Sequence, residues 1–464
     1  MKKIGFILII VSFLSVIFIS QLKLINQPVQ DYDEGVYLTT FLLISSGHPA
    51  YKETFLSQPP GFLISVYPGF ALLGKSLQAA RLTVGIWSLI GLLAIIWICN
   101  ELKKRWAGIL TLGILYLSPY YYNQTLVFHS DILVGTFSLI ALASLFRYVN
   151  TKHLRWFFLT ALFLNLTFWT KFDFFLIPSL LIVFILLIKN KQLDFSNIKK
   201  LISIFVIVGI SFFLIFIMPF GIQYVIGNTI GLRFSAANLQ AAQPLLFLRY
   251  IREDLLILLL TIGAIILTIL RKDNLRFPQL PLLIWVSTIF VFFLFYKPLF
   301  IHHMVIYTIP LALYFSLSII SGLKKQTSFY PLVISCFILL TLLNYLSITL
   351  NKTVGLLTQD QQMAVRIIDK YSKPKDIVVS DEGILNGVSN RLPPPQLSDV
   401  SYVRISSQNL SSEKFKQIIA ASKPKLIIPW NGRLISIEGF SDVLNKYKPL
   451  ATINKKIIYI RTDL

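Results

Sequence analysis

Acidic side chains are scarce in this chain: 21 Asp and Glu stand against 43 Lys and Arg in 464 residues, and only 14% of positions are charged. With 55% apolar residues and a mean hydropathy of +0.70, that scarcity excludes an ordinary soluble domain and indicates a polytopic membrane protein. Cysteine is nearly absent. Cys99 and Cys336 each lie inside an apolar run, which excludes a disulfide framework or a cysteine metal site. No internal repeat or low-complexity tract stands out.

The formal charge of +22 would suggest nucleic acid if the chain were soluble, but the distribution of the basic residues excludes that partner. Lys2-Lys3, Lys103-Lys104-Arg105, Lys152 with Arg155, Lys189 to Lys200, Arg271-Lys272 with Arg276, and Lys324-Lys325 occupy every second loop between apolar runs. That alternation is the positive-inside bias and puts these loops in the cytoplasm. The amino-terminal run resembles a signal peptide, yet it is long for one and carries bulky Phe18 near the possible cleavage point. It reads as an uncleaved first span with its amino end cytoplasmic.

A span needs about 20 apolar residues, and about eleven can be placed, near 4–20, 80–99, 107–122, 131–148, 156–171, 174–188, 201–220, 254–270, 280–296, 303–321 and 330–349. The odd count carries the tail to the outer face. Two short helices along the membrane surface are expected in the first outer loop, over Tyr32–Ser46 and Pro60–Leu73. Outer residues Gly221 to Arg252, with Arg233, Arg249 and Arg252, read equally well as a flap over a site or as a polar connector. The chain thus divides into a transmembrane domain, 1–350, and a small extracytoplasmic α/β domain, 351–464. In the latter, short strands (376–380, 425–429, 456–460) alternate with helical patterns (360–370, 411–421). That tail has no Gly-rich phosphate loop and no His/Cys cluster, and Asp381-Glu382 reads best as a solvated turn.

Against this background the stretch from Gln30 to Gly61 is conspicuous. It places Asp31, Asp33 and Glu34 beside a membrane span, with a Gly-His-Pro turn at Gly47–Pro49 and a Gln-Pro-Pro run at Gln58–Pro60. Carboxylates so close to hydrocarbon are costly, and a functional role is the default reading. Further outer-face groups are His129-Ser130-Asp131 at the start of the fourth span, Lys171 at the end of the fifth, and His302-His303 at the start of the tenth. A cavity shared by these groups suits a reaction that needs a general base and a clamp for an anionic leaving group. Plain alternatives stand beside each: Asp131 as a helix cap, Lys171 snorkelling to the interface, the histidines as interfacial residues, and Glu34 as a partner of Asp33.

These residues carry a resemblance. The Asp-Glu pair after the first span, Gly-His-Pro-Ala-Tyr (Gly47 to Tyr51) and Gln-Pro-Pro-Gly (Gln58 to Gly61) resemble the first outer loop of the GT-C glycosyltransferases, specifically the protein O-mannosyltransferase and aminoarabinose transferase superfamily. Ala79–Leu82, Ser130-Asp131, Thr170-Lys171 and the His302-His303 start of a late span are also similar, and the resemblance covers roughly residues 1–350. It implies a GT-C-like fold and an inverting transfer of a sugar from a polyprenyl-phosphate donor, in a bacterial cytoplasmic membrane, to an unknown glycan, lipid or protein acceptor. Asp33 would be the general base. Asp131 would orient or help deprotonate the acceptor, and Lys171, with an outer-loop arginine, would stabilise the departing phosphate. Glu34, Tyr37, Gln58, His302 and His303 complete the substrate-binding candidates. Aminoarabinose transferases often carry a lysine where Gln58 stands, which weakens an assignment to lipid A modification. No obligatory metal is expected, although Asp33, Glu34 and Asp131 could hold a divalent cation. Two competing classes remain at this level: a transporter, which would place ionisable residues near the bilayer midplane, and a non-catalytic assembly protein.

Overall fold

The computed structural model describes residues 2–174, 176–189, 195–239, 244–270, 279–322, 340, 341, 343, 347 and 355–463. The expected eleventh span, at 330–349, therefore lies almost wholly outside the described residues, as does the division at 350/351. Helices α1 (Lys2–Leu24), α2 (Tyr32–Ser45), α3 (Pro60–Leu72), α4 (Leu77–Glu101), α5 (Arg105–Leu117), α6 (Pro119–Gln124), α7 (Asp131–Thr151) and α8 (Leu154–Thr170) form the first half of a bundle. It continues through α9 (Leu176–Lys189), α10 (Phe195–Phe212), α11 (Ile222–Ile226), α12 (Leu232–Leu239), α13 (Pro244–Glu253), α14 (Leu255–Leu270), α15 (Gln279–Phe295) and α16 (Met304–Gly322).

Among the described residues, the helices running through Ile4–Leu24, Leu77–Glu101, Asp131–Thr151, Asn197–Phe220 and Ile301–Ser321 are long and apolar enough to cross a membrane, and several shorter apolar helices pack among them. Helix α7 is the central one. Nearly every side chain from Asp131 to Phe146 is buried, because α4, α8 and α16 surround it. The outer helices carry their apolar side chains on the surface instead (Ile4, Ile207 and Ile215 are all more than half exposed), as a lipid-facing surface requires.

Local chemistry explains the boundaries. The surface helices expected at 32–46 and 60–73 are α2 and α3; Asp31 caps α2 by accepting from the Asp33 amide, and Pro60 opens α3 as its first residue. The single span expected at 107–122 is broken at Ser118. Pro119 cannot continue the hydrogen-bond ladder of α5, and the Ser118 hydroxyl caps a new helix by accepting from Tyr121. Between the fifth and sixth apolar runs the chain turns at Lys171, where the backbone is extended.

Residues 355–463 carry α17 (Gln359–Tyr371), β1 (Val378–Ser380), α18 (Gly383–Ser389), α19 (Tyr402–Ser406), α20 (Ser412–Ser422), β2 (Leu426–Ile428), β3 (Tyr447–Ile453) and β4 (Lys456–Arg461). The sheet order is β1-β2-β4-β3, with β1 parallel to β2 and the other pairs antiparallel. The sequence pattern misses β3. It is an edge strand whose pairing with β4 shifts register between Pro449 and Ala451, so its alternation is interrupted. Asp381-Glu382 is not a solvated turn: both side chains are buried. Asp381 accepts from the amides of Asn431 (2.9 Å) and Leu434 (3.0 Å), which fastens the loop after β2.

This segment docks on α2 through glycine. A Cβ on Gly35 would lie 2.5 Å from the Ile384 nitrogen, and one on Gly383 would lie 2.5 Å from the Gly35 carbonyl group. With no side chain between them the two backbones approach closely enough for the Thr39 hydroxyl to donate to the Gly383 carbonyl at 2.9 Å. A second tie lies at Phe55, whose amide donates to the Pro395 carbonyl (3.2 Å) and whose ring lies 3.6 Å beneath the Arg404 guanidinium.

Candidate active site

A cavity of about 390 Å³ opens where the first loop, the ends of the bundle helices and the C-terminal segment meet. Asp31 and Asp33 reach it from the start of α2, Gln58 from the Pro-Pro turn, Lys171 from the break after α8, and His302 and His303 from the turn before α16. Arg233 of α12 and Tyr250 of α13 contribute one wall. Asp399, Tyr402 and Arg433 form a roof from the C-terminal segment. Of the groups singled out in the sequence, five of the site candidates thus line one cavity: Asp33, Gln58, Lys171, His302 and His303.

Asp31 and Asp33 share the first turn of α2 but differ in surroundings. Burial raises the Asp31 carboxyl, but a 2.9 Å hydrogen bond with His302 Nδ1 and the imidazole's charge outweigh this and hold it well below the usual range. Burial pushes the Asp33 carboxyl up to about 7, helped by the negative charge of Asp31. Among the described residues its one side-chain donor is the Tyr37 hydroxyl, at 3.2 Å. Tyr37 in turn accepts from Gln58 Nε2 (2.7 Å), and Gln58 Oε1 accepts from Ser130 (3.2 Å) and Arg233 (3.5 Å). Tyr37 therefore bridges Asp33 to Gln58 from behind and does not line the cavity, contrary to its expected substrate contact.

Glu34 points the other way. Its carboxylate takes a bidentate pair from Arg81 (2.7 and 2.8 Å), with the amides of Phe128 (2.9 Å) and Gln30 (3.1 Å) completing its shell. Arg81 also donates to the carbonyls of Ile25, Gln27 and Pro28. Both side chains are fully buried and neither lines the cavity. The expected substrate-binding role for Glu34 does not fit this geometry; it ties α2 and the loop before it to α4.

Asp131 also departs from expectation. Its Oδ1 lies 2.7 Å from Lys171 Nζ, and its Oδ2 faces His129 (3.5 Å) and His302 Nε2 (3.9 Å). It is buried behind the wall and does not line the cavity, so direct work on an acceptor hydroxyl is out of its reach. What it does is position: it anchors Lys171, whose side chain is itself 2% exposed, and it backs His302, which spans Asp31 and Asp131. Arg233 is held similarly, by Asp173 at 2.6 Å and the Tyr296 hydroxyl at 3.1 Å.

Ligand atoms of Asp131, His302 and His303 lie within 4.8 Å of one another, the geometry of a cation site. The donor set is already engaged: Asp131 holds an ammonium at 2.7 Å and His302 Nδ1 holds Asp31. A divalent ion there would face the Lys171 charge at close range, and these residues do not fit a metal unless Lys171 leaves. The alternative set of Asp33, Glu34 and Asp131 is ruled out by the commitment of Glu34 to Arg81.

The sequence reading singled out Asp31 among the acids of the first outer loop but gave it no named role, and it did not place Asp399, Tyr402 or Arg433 at the site. These three come from a segment about 370 residues later and carry no motif. Asp399 is buried, and that burial pushes its carboxyl up. Arg249 and Arg252, considered with Arg233 as flap arginines, are exposed and do not line the cavity.

Residues 57–221 match a family described as dolichyl-phosphate-mannose-protein mannosyltransferase. The fold is similar to that of ArnT from Cupriavidus metallidurans bound to undecaprenyl phosphate (TM-score 0.70, 14% identity) and in the apo state (0.68, 15%), in both cases over 99% of this chain and 98% of the other. An oligosaccharyltransferase from Archaeoglobus fulgidus, in complex with Zn and sulfate, matches over 97% of this chain and 73% of that one at a TM-score of 0.58 and 12% identity. No curated protein matches. At these identities the likeness to the solved structures is one of fold.

Proposed function

For a chain with the GT-C fold of the protein O-mannosyltransferase and aminoarabinose transferase superfamily, we propose an inverting transfer of a sugar from a polyprenyl-phosphate donor to an acceptor hydroxyl on the outer face of the cytoplasmic membrane. The observation that carries the reading is the pairing, in one cavity, of a carboxyl raised to about 7 with two cations held in place from behind. Asp33 takes the acceptor's proton. The acceptor oxygen bonds to the anomeric carbon as the bond from that carbon to the phosphate oxygen breaks, and its electron pair leaves on the polyprenyl phosphate. Lys171 and Arg233 meet the charge that develops there, and because Asp131 and Asp173 fix them in advance, little reorganisation is needed. Gln58 and His303 line the donor side. In this reading the amino terminus is cytoplasmic, and residues 351–464 form an extracytoplasmic domain over the acceptor side.

The test is turnover by purified protein in lipid, supplied with a panel of radiolabelled polyprenyl-phosphate sugars. Release of polyprenyl phosphate by the native protein is expected, with a loss of about 10²–10⁴-fold in Asp33→Asn. Full transfer by well-folded Asp33→Asn would overturn the assignment of the base.

A further inference from the structure

A second cavity, also of about 390 Å³ and more open, adjoins the first and shares Asp31, Tyr32, Tyr402 and Arg433 with it. Its chemistry differs. The inner cavity gathers Lys171, Arg233, His302 and His303, a cationic set suited to phosphate. Apart from the shared wall and Val29, the outer one is lined by amides and a carboxylate: Gln30, Gln361, Asn431 and Glu382. We infer that this outer cavity is the acceptor site and that the acceptor it takes is an uncharged saccharide. This rests on the glycosyltransferase reading above and supplies the acceptor class that reading leaves open.

Three observations favour that class. Tyr402 is 53% exposed beside a polar cavity, and although the Arg433 guanidinium lies 5.1 Å from its ring centroid, the exposed part of the ring is an electron-rich aromatic surface of the kind on which the C–H face of a sugar packs. Asn431 Nδ2 donates to Glu382 at 2.6 Å, and the remaining capacity of these amides and the carboxylate supplies both donors and acceptors, as hydroxyl groups demand. The Nε of Arg433, at the wall between the cavities, is buried with no acceptor among the described residues, while its guanidinium stacks 3.6 Å over Tyr32. A sugar hydroxyl crossing that wall toward Asp33 would supply the missing partner.

Other acceptors fit less well. A lipid tail would need apolar walls, and among the described residues Val29 is the single aliphatic side chain lining the cavity. An anionic headgroup would meet Asp31 and Glu382 against one arginine. A peptide is usually read along an open strand edge, and no residue of the edge strands β1 and β3 lines this cavity.

The experiment uses the full chain in lipid nanodiscs and two independent ligands, polyprenyl phosphate and a panel of neutral di- and trisaccharides of glucose, galactose and mannose, with binding of the saccharides read by saturation-transfer NMR. Gln30→Ala and Asn431→Ala alter exposed side chains that line the outer cavity and not the inner one, and an unchanged unfolding temperature in detergent checks that each variant folds. A saccharide that binds the native protein, tenfold or more weakly in both variants and with polyprenyl-phosphate binding unchanged, is the expected result. Absence of binding by every saccharide, or binding indifferent to both variants, overturns the proposal. So does a serine/threonine peptide or an anionic lipid whose binding the two variants weaken instead. Failure of the glycosyltransferase reading shows separately, as loss of polyprenyl-phosphate binding in the native protein.

Discussion

Adjacent residues Asp33 and Glu34 face opposite ways from the first turn of α2, and that alone separates chemistry from architecture. Asp33 sits on the cavity with, among the described residues, one side-chain hydrogen bond and a carboxyl raised to about 7; Glu34 is fully buried with four donors within 3.1 Å. A base must be ionised, so transfer is expected to rise about tenfold per pH unit below 7 and to level off above it. Removing the like charge at Asp31 lowers the Asp33 carboxyl, so Asp31→Asn should shift that rise to lower pH. A pH–rate profile of the two proteins checks both the limb and its displacement. Glu34→Ala, by contrast, strands the Arg81 guanidinium in the interior. A loss of about 3–5 kcal/mol is expected, read as a lowered unfolding temperature in detergent, and Arg81→Ala should behave alike.

Among the elements, α2 carries the site on one face and receives the C-terminal segment on the other. The contact tolerates no side chain at Gly35 or Gly383, where a Cβ would fall 2.5 Å from opposing backbone. Gly35→Val should force the two apart at a cost of about 1–3 kcal/mol or more. Increased proteolysis within 355–463, and a loss of transfer larger than any loss of polyprenyl-phosphate binding, are the expected readouts. Unchanged proteolysis would show that the segment is held elsewhere, at Phe55 and Arg404. Helix α7 acts differently: it is buried along its length and so fixes Asp131, which in turn holds Lys171 where a phosphate can meet it.

For the whole molecule the question is which face the cavity addresses. The basic loops at Lys103–Arg105 and Lys152–Arg155 should be cytoplasmic and residues 355–463 outside. A membrane-impermeant thiol reagent applied to intact cells should label Gln417→Cys, on exposed α20, and should label His153→Cys only after permeabilisation. The reverse pattern would move the site to the cytoplasmic side and exclude an outer-face acceptor.

Apolar runs, basic loops and turn residues are local properties, and they are enough to reveal a membrane bundle, the two surface helices at 32 and 60, and the break at Lys171. Asp33, Gln58, Lys171, His302 and His303 were legible as site candidates, because polar groups beside hydrocarbon need a reason to be there. What no local pattern contains is the direction in which a side chain points once helices pack. Glu34 turned out to be committed to Arg81, Asp131 to Lys171, and Tyr37 to the hydrogen bond between Asp33 and Gln58. Nor could sequence bring Asp399, Tyr402 and Arg433 to a site built some 370 residues earlier; a glycine-on-glycine contact does that. The sequence by itself determined a membrane-embedded helical protein with an acidic first loop. Tertiary structure alone decided which acid faces the cavity and what closes it, because burial and charge at each carboxyl are set by neighbours distant in the chain.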